Sequence, residues 1–226
     1  MTTITRDVAA AAAERRQNVR QRADRPSQRR SAEPAGSRAS VRAALAGVQL
    51  RDAAGDGSVL EFTGHASVTE RGYEMWDWYG PYTEVISADA FSETLARADL
   101  DVPLVLGHDQ LRRIARTTTG TLDLSIDDTG LLVVARLDPA DVDVAYIAPK
   151  LRSGLVDEMS FAFRIESGVW SPDWTQYRIE RVDMHRGDTA IVGYGANPAT
   201  DAGLRQQARS DSSRARALLE LALAGD

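Results

Sequence analysis

Residues 154–163 read GLVDEMSFAF. From Met159 to Phe163 large and small side chains alternate, the two-residue period of a β-strand, in which successive side chains point to opposite faces. Met159, Phe161 and Phe163 then share one face, and Ser160 and Ala162 share the other. The large face suits a core, and the small face leaves room beside a hydroxyl. Taken alone, Ser160 reads as an ordinary strand serine, because a hydroxyl is a poor nucleophile without a base next to it.

Working outward from this strand, the neighbouring segments are mostly strands as well. Upstream, ADVDVAYIAPKLRSG (140–154) has the pattern of a helix stopped near Gly154. Before it, GTLDLSID, a DDTG turn and LLVVARLD (120–138) predict a hairpin. DVPLVLGHD (101–109) is a short apolar strand that ends at Gly107–His108. SADAFSETLAR (87–97) predicts a helix with Ser87 as N-cap and with Phe91 and Leu95 on one face. EMWDWYGPYTEVI (74–86) alternates and turns at Gly80–Pro81, and SVLEFTGHASV (58–68) alternates throughout. Downstream, the quoted strand runs through Ile165 and is followed by a Trp-containing loop. YRIERVDM, TAIVGYG and the turn-like ANPAT come next. Strands outnumber helices and no βαβ rhythm appears, so the fold class is mainly β with peripheral helices, a largely antiparallel sheet or barrel.

The 226 residues, 43% of them hydrophobic, suffice for one sizeable domain with appended ends. There is no cysteine, which excludes disulfides, thiolate metal sites and a Cys nucleophile. Three histidines, His65, His108 and His185, are too few for a His-rich metal site, and no metal or cofactor is expected. No apolar run of about 18 residues is present to span a membrane. The alanine run near the start is bracketed by Asp7 and Glu14, unlike the core of a secretory signal, so an intracellular protein is expected.

The net charge of −6 conceals an asymmetry. Residues 1–45 hold ten arginines against Asp7, Glu14, Asp24 and Glu33, a net +6, which leaves −12 on the remainder. A basic arm on an acidic body suits nucleic acid or an acidic protein partner, but the arm has no aromatic side chain to stack on bases. A solvated Arg-rich tail is the plainer reading. The arm predicts a helix over 8–23 and then a Pro/Ser/Gly/Arg linker, RPSQRRSAEPAGSRAS (25–40). The expected organisation is a basic, largely disordered arm over 1–47, a folded domain over 48–203 and a tail over 204–226. In that tail Ala215, Leu218, Leu219 and Ala222 have the spacing of a short amphipathic helix.

No P-loop, GxGxxG, HExxH or GxSxG is present, so any chemistry must be assembled from distant segments. His108, where an apolar strand emerges beside a glycine, has the setting of a rigidly held base. Ala162 beside Ser160 leaves space for an imidazole and a carbonyl. Asp183, His185 and Asp188, in VDMHRGDTAIVGYGANPAT, are candidates to bond the far ring nitrogen of that base. Each of these residues, judged singly, also fits a structural or surface role.

Read together, FTGHASV, YEMWDWYGPYTEVISADAFSETL, DVPLVLGHD, RTTTGTLDLSIDDTGLLVVARLD, LRSGLVDEMSFAFRI and DTAIVGYGANPAT resemble the tailed-phage prohead proteases, serine peptidases that mature capsids. The resemblance covers roughly residues 58–200. It implies a closed antiparallel β-barrel with surrounding helices, of the herpesvirus assembly protease type. It also implies His108 as base, Ser160 as nucleophile and Asp188 as third member, with His185 as the alternative third member in a Ser-His-His arrangement. Two departures stand out. Gly107 replaces the usual Asn before the histidine, and Asp188 replaces the commoner Glu. The implied substrates are a scaffold protein or the scaffolding region of the major capsid protein, together with the protease's own ends. Self-association is expected, and the implied place is the assembling prohead in the host cytoplasm. The alternatives from other classes are a barrel that has kept its capsid-assembly role but lost chemistry, and an Arg-arm nucleic-acid binder.

Overall fold

The computed structural model describes residues 7–26, 42–43, 49–52 and 58–193. The linker expected over 25–40 lies almost wholly outside these residues, as does the helix expected around 215–222. Two β-sheets make up the body. In the first, the strands are ordered β1 (Arg42–Ala43), β10 (Glu158–Trp170), β11 (Gln176–Val192), β5 (Pro81–Ile86) and β4 (Tyr73–Trp76). A further strand, β6 (Pro103–Leu106), joins β11 near its C-terminal end and carries β7 (Asp109–Arg116) beside it. The second sheet is ordered β2 (Gln49–Asp52), β3 (Leu60–Val68), β9 (Gly130–Leu137) and β8 (Leu122–Ile126). Strand β3 lies against β10, and the core fills the space between the sheets with Phe62, Leu131, Met159, Phe161 and Met184.

The closed antiparallel barrel expected from the family resemblance is overturned: both sheets are open. Closure requires every strand to pair on both flanks. Here β1, β4 and β7 end the first sheet's branches, β2 and β8 end the second, and no ladder joins the two sheets among the described residues. The divergence starts at β11. One flank pairs antiparallel with β10 along its length, while the other takes β5 at Gln176–Ile179 and β6 at Thr189–Ile191, both parallel. Two partners at opposite ends of one flank make the sheet branch at β11. The pairing is therefore not uniformly antiparallel either.

The helices cover the flanks. Helix α1 spans Val8–Asn18, α2 is the single turn Ser92–Leu95 continuing a 3-10 turn over Ala88–Phe91, and α3 spans Val142–Arg152. Helix α3 starts where Asp141 caps the amides of Asp143 and Val144 at 2.7 and 3.2 Å, and Gly154 follows its end with a left-handed φ of +68°. Ser87 makes no side-chain cap bond, which fits the tighter 3-10 start in place of the expected helix over 87–97.

The described part of the basic arm is packed on the body. Arg15, on α1, is fully buried. Its guanidinium makes a two-point pair with Asp77 at 2.8 and 2.9 Å and donates to the carbonyls of Gly80, Pro81 and Trp174. It also stacks over the rings of Tyr82 and Trp170, about 5 Å from each centroid. Asp77 is satisfied in turn by the amides of Tyr79 and Gly80, which shape the β4–β5 turn. Removing one member of such a buried pair strands the other charge. Arg15→Ala is therefore expected to lower the unfolding free energy by about 3–5 kcal/mol, read by urea denaturation. A loss below about 1 kcal/mol would mean that α1 is not docked in solution.

Candidate active site

Ser160 sits on β10 opposite Ala190 of β11, and Ala162 sits opposite Asp188. Directly opposed residues of an antiparallel pair project to the same face. Ser160, Ala162, Asp188 and Ala190 therefore line one face, and the other carries Phe161 stacked on Phe163 at 4.4 Å. A face of small residues leaves room for a ring to lie across it.

That ring comes from the turn after β6. Leu106 pairs with Asp109, so Gly107 and His108 are the two connecting residues, with φ of +63° and +62°. A two-residue hairpin with both central residues at positive φ favours Gly or Asn at its first position, because a larger side chain is strained there. The Gly107 amide donates to the Ile191 carbonyl at 2.9 Å and ties the turn to β11. His108 is left-handed and non-glycine, a conformation that costs about 1 kcal/mol and is typical of functional positions.

The third element is a bulge. Between the pairs Ala162↔Asp188 and Arg164↔Asp183, strand β11 holds several more residues than β10. The excess is pushed out at 184–187, and Asp188 returns to the ladder facing His108. Gly187 is required at this point, since a Cβ there would stand 2.0 Å from the Ala162 carbonyl oxygen.

The three side chains form one hydrogen-bonded row. His108 Nδ1 lies 2.7 Å from Asp188 Oδ1, and His108 Nε2 lies 2.9 Å from Ser160 Oγ. A carboxylate only accepts, so Nδ1 carries the proton and the Nε2 lone pair receives the serine O–H. Asp188 and Ser160 are buried, and the His108 side chain is 22% exposed. Gln110, on β7, donates through Nε2 to the other Asp188 oxygen at 2.6 Å, and its own amide oxygen receives Arg113 at 3.3 Å. The carboxylate is thus held at both oxygens.

His185 and Asp183 stand elsewhere. The Nδ1 of His185 accepts the Asp101 amide at 3.3 Å, and Asp183 pairs with Arg164 at 2.9 Å. Arg116, in a two-point pair with Asp101, holds that carboxyl below the usual carboxylate range. His65 pairs with Asp127 on the second sheet at 2.7 Å. Gln110 had no signal in the sequence: it is a polar residue on an unrecognised strand, far in sequence from its partner. Among the described residues no group of three or more His, Asp or Glu is placed to hold a metal, and no helix is long and apolar enough to cross a membrane.

The profile of the caudovirus prohead serine proteases matches residues 47–214. The chain belongs to that family. Membership indicates a serine protease and suggests a capsid-maturation role inside the assembling head. No curated protein and no solved structure matches the chain. In this prohead serine protease family member, the hydrogen-bonded row of Ser160, His108 and Asp188 is an arrangement able to perform acyl transfer.

Proposed function

We propose that the chain is an endopeptidase with Ser160 as nucleophile, His108 as general base and acid, and Asp188 as the residue that orients the base. The observation that carries this is the continuous Ser160–His108–Asp188 hydrogen-bond chain on a face otherwise lined by alanines. Ser160 Oγ attacks the scissile carbonyl as its proton passes to His108 Nε2. The resulting imidazolium is stabilised by the buried Asp188 carboxylate, then protonates the leaving amine as the C–N bond breaks. A water, deprotonated by the same nitrogen, hydrolyses the ester and returns Ser160 to its hydroxyl.

Gln110 belongs to this machinery as a positioning residue. It fixes the Asp188 oxygen that does not touch His108. Gln110→Leu is expected to lower kcat about tenfold, the lower end for a hydrogen bond to a charged group, with an unchanged melting temperature. A variant with full activity would show that Asp188 needs no second anchor.

The substrates that fit a protease of the prohead are the scaffold protein or the scaffolding region of the major capsid protein, and the chain's own ends. Co-expression with the head proteins of the same phage, followed by mass-spectrometric mapping of new termini, tests this. New termini in scaffold or capsid protein support it. Intact head proteins beside a soluble, folded chain overturn it.

A further inference from the structure

One strand contact goes beyond this assignment while resting on it. Strand β10 is flanked at Ser160 by β11 on one side and by β1 on the other, with Arg42 opposite Ser160 and Ala43 opposite Met159 in antiparallel register. β1 is the terminal strand of the sheet. Without it, the Ser160 stretch of β10 would be a free edge, with main-chain groups open to any extended peptide. Ser160 is wholly buried even though the ring of His108 beside it is partly open.

The segment that covers the edge is tethered at the far end of the same strand. Trp170, the last residue of β10, donates its amide to the Arg22 carbonyl and its indole N–H to the Asp24 carbonyl, at 2.8 and 2.9 Å. Arg22 Nε donates back to the Trp170 carbonyl at 2.8 Å, and α1 is clamped next to it through Arg15. Ser160 and Trp170 are about 30 Å apart at the usual rise of a strand. A chain of the length from Asp24 to Arg42 can span up to about 60 Å, which exceeds this distance. A tethered segment competes for the edge at an effective concentration of about 1 mM or more, without any new contact.

We propose that Arg42–Ala43 is a cis-acting occupant of the peptide-binding edge. The main chain of an extended substrate pairs antiparallel with β10 at Met159–Ser160, and the chain's own arm holds that place until it is displaced. The partner class is therefore an extended peptide recognised through its backbone, and the arm is its internal competitor. The basic arm thereby acts as a restraint on the site, in addition to any attraction for acidic partners.

Proline has no N–H to give to a ladder. The full-length double variant Arg42→Pro, Ala43→Pro should thus release the edge. The probe is diisopropyl fluorophosphate: Ser160 Oγ forms a P–O bond as fluoride leaves, and the serine proton passes to His108. The double variant is expected to be modified at Ser160 about 5- to 50-fold faster than wild type, the gain when an occupant held by one or two hydrogen bonds is lost. Of the adjacent Met159 and Ser160 amides one points to β1 and the other to β11, and the one that points to β1 is expected to exchange hydrogen faster over the same range, a readout that needs no chemistry. An unchanged melting temperature shows that the body is folded. Equal labelling and equal exchange in the two chains overturn the occupancy of the edge. Labelling of neither chain, with exchange faster in the variant, overturns the nucleophile and leaves β1 as a mere cover, which also sinks the proposal.

Discussion

Ser160→Ala is expected to lower peptide-bond cleavage by about 10⁴- to 10⁶-fold, because the nucleophile and its base act as a unit and losing either forfeits nearly the whole of the covalent route. The fold should not change. Ser160 is buried opposite Ala190 on a face that already holds Ala162, so alanine fits without a cavity. His108 loses one partner and keeps Asp188. The readout is the appearance of cleaved head protein over time, with the melting temperature as a check. Cleavage within tenfold of wild type in a folded Ser160→Ala chain would remove Ser160 from the mechanism.

Asp188→Asn is expected to cost about 10⁴-fold in kcat with little change in KM. Asn keeps the shape of Asp but brings an N–H₂ where His108 Nδ1 now finds an acceptor. If the amide turns its oxygen to the histidine, its NH₂ meets the Gln110 Nε2, which donates to the other oxygen today. If it turns its NH₂ to the histidine, the ring adopts the opposite tautomer and presents an N–H to Ser160. Either way the negative charge that steadies the imidazolium is lost, together with the base's tautomer or the anchor from Gln110. Asp188→Glu, the residue commoner in the family by resemblance, keeps the charge and is expected to retain far more activity than Asn. Asn and Glu variants of equal activity would show that the charge at 188 does not matter.

The parts of this site differ in how well they could be read from sequence, and the reason is locality. The alternation in EMSFAF reports its own two faces, so the small face with Ser160 was legible. Gly107–His108 was legible as the end of an apolar strand. Its positive φ at both residues was not, because that depends on Leu106 and Asp109 pairing across the turn. The same geometry explains a departure noted in the sequence: Gly, like Asn, tolerates the left-handed conformation required at 107. The choice among Asp183, His185 and Asp188 was open, because only the bulge at 184–187 decides which of them meets His108. That bulge also hid the continuity of β11, which reads as two short strands separated by HRGD.

The barrel was misjudged for a related reason. Alternation fixes faces within a strand but not which strands share a flank, and the two parallel partners of β11 leave no sign in either strand's pattern. Arg15 shows the same limit. On an alanine-rich helix it reads as a solvated charge, yet its partner Asp77 lies in a turn 62 residues away and the pair is buried. What the sequence held for it was only that Asp77 stands shortly before the Gly80–Pro81 turn.

The most direct test of the site is the position of a single adduct. Full-length chain treated with diisopropyl fluorophosphate and mapped by peptide mass spectrometry is expected to carry the label on Ser160, and a His108→Ala chain treated alongside is expected to carry almost none. A label on any other serine, or an equal label on Ser160 without His108, would contradict a nucleophile activated by that histidine.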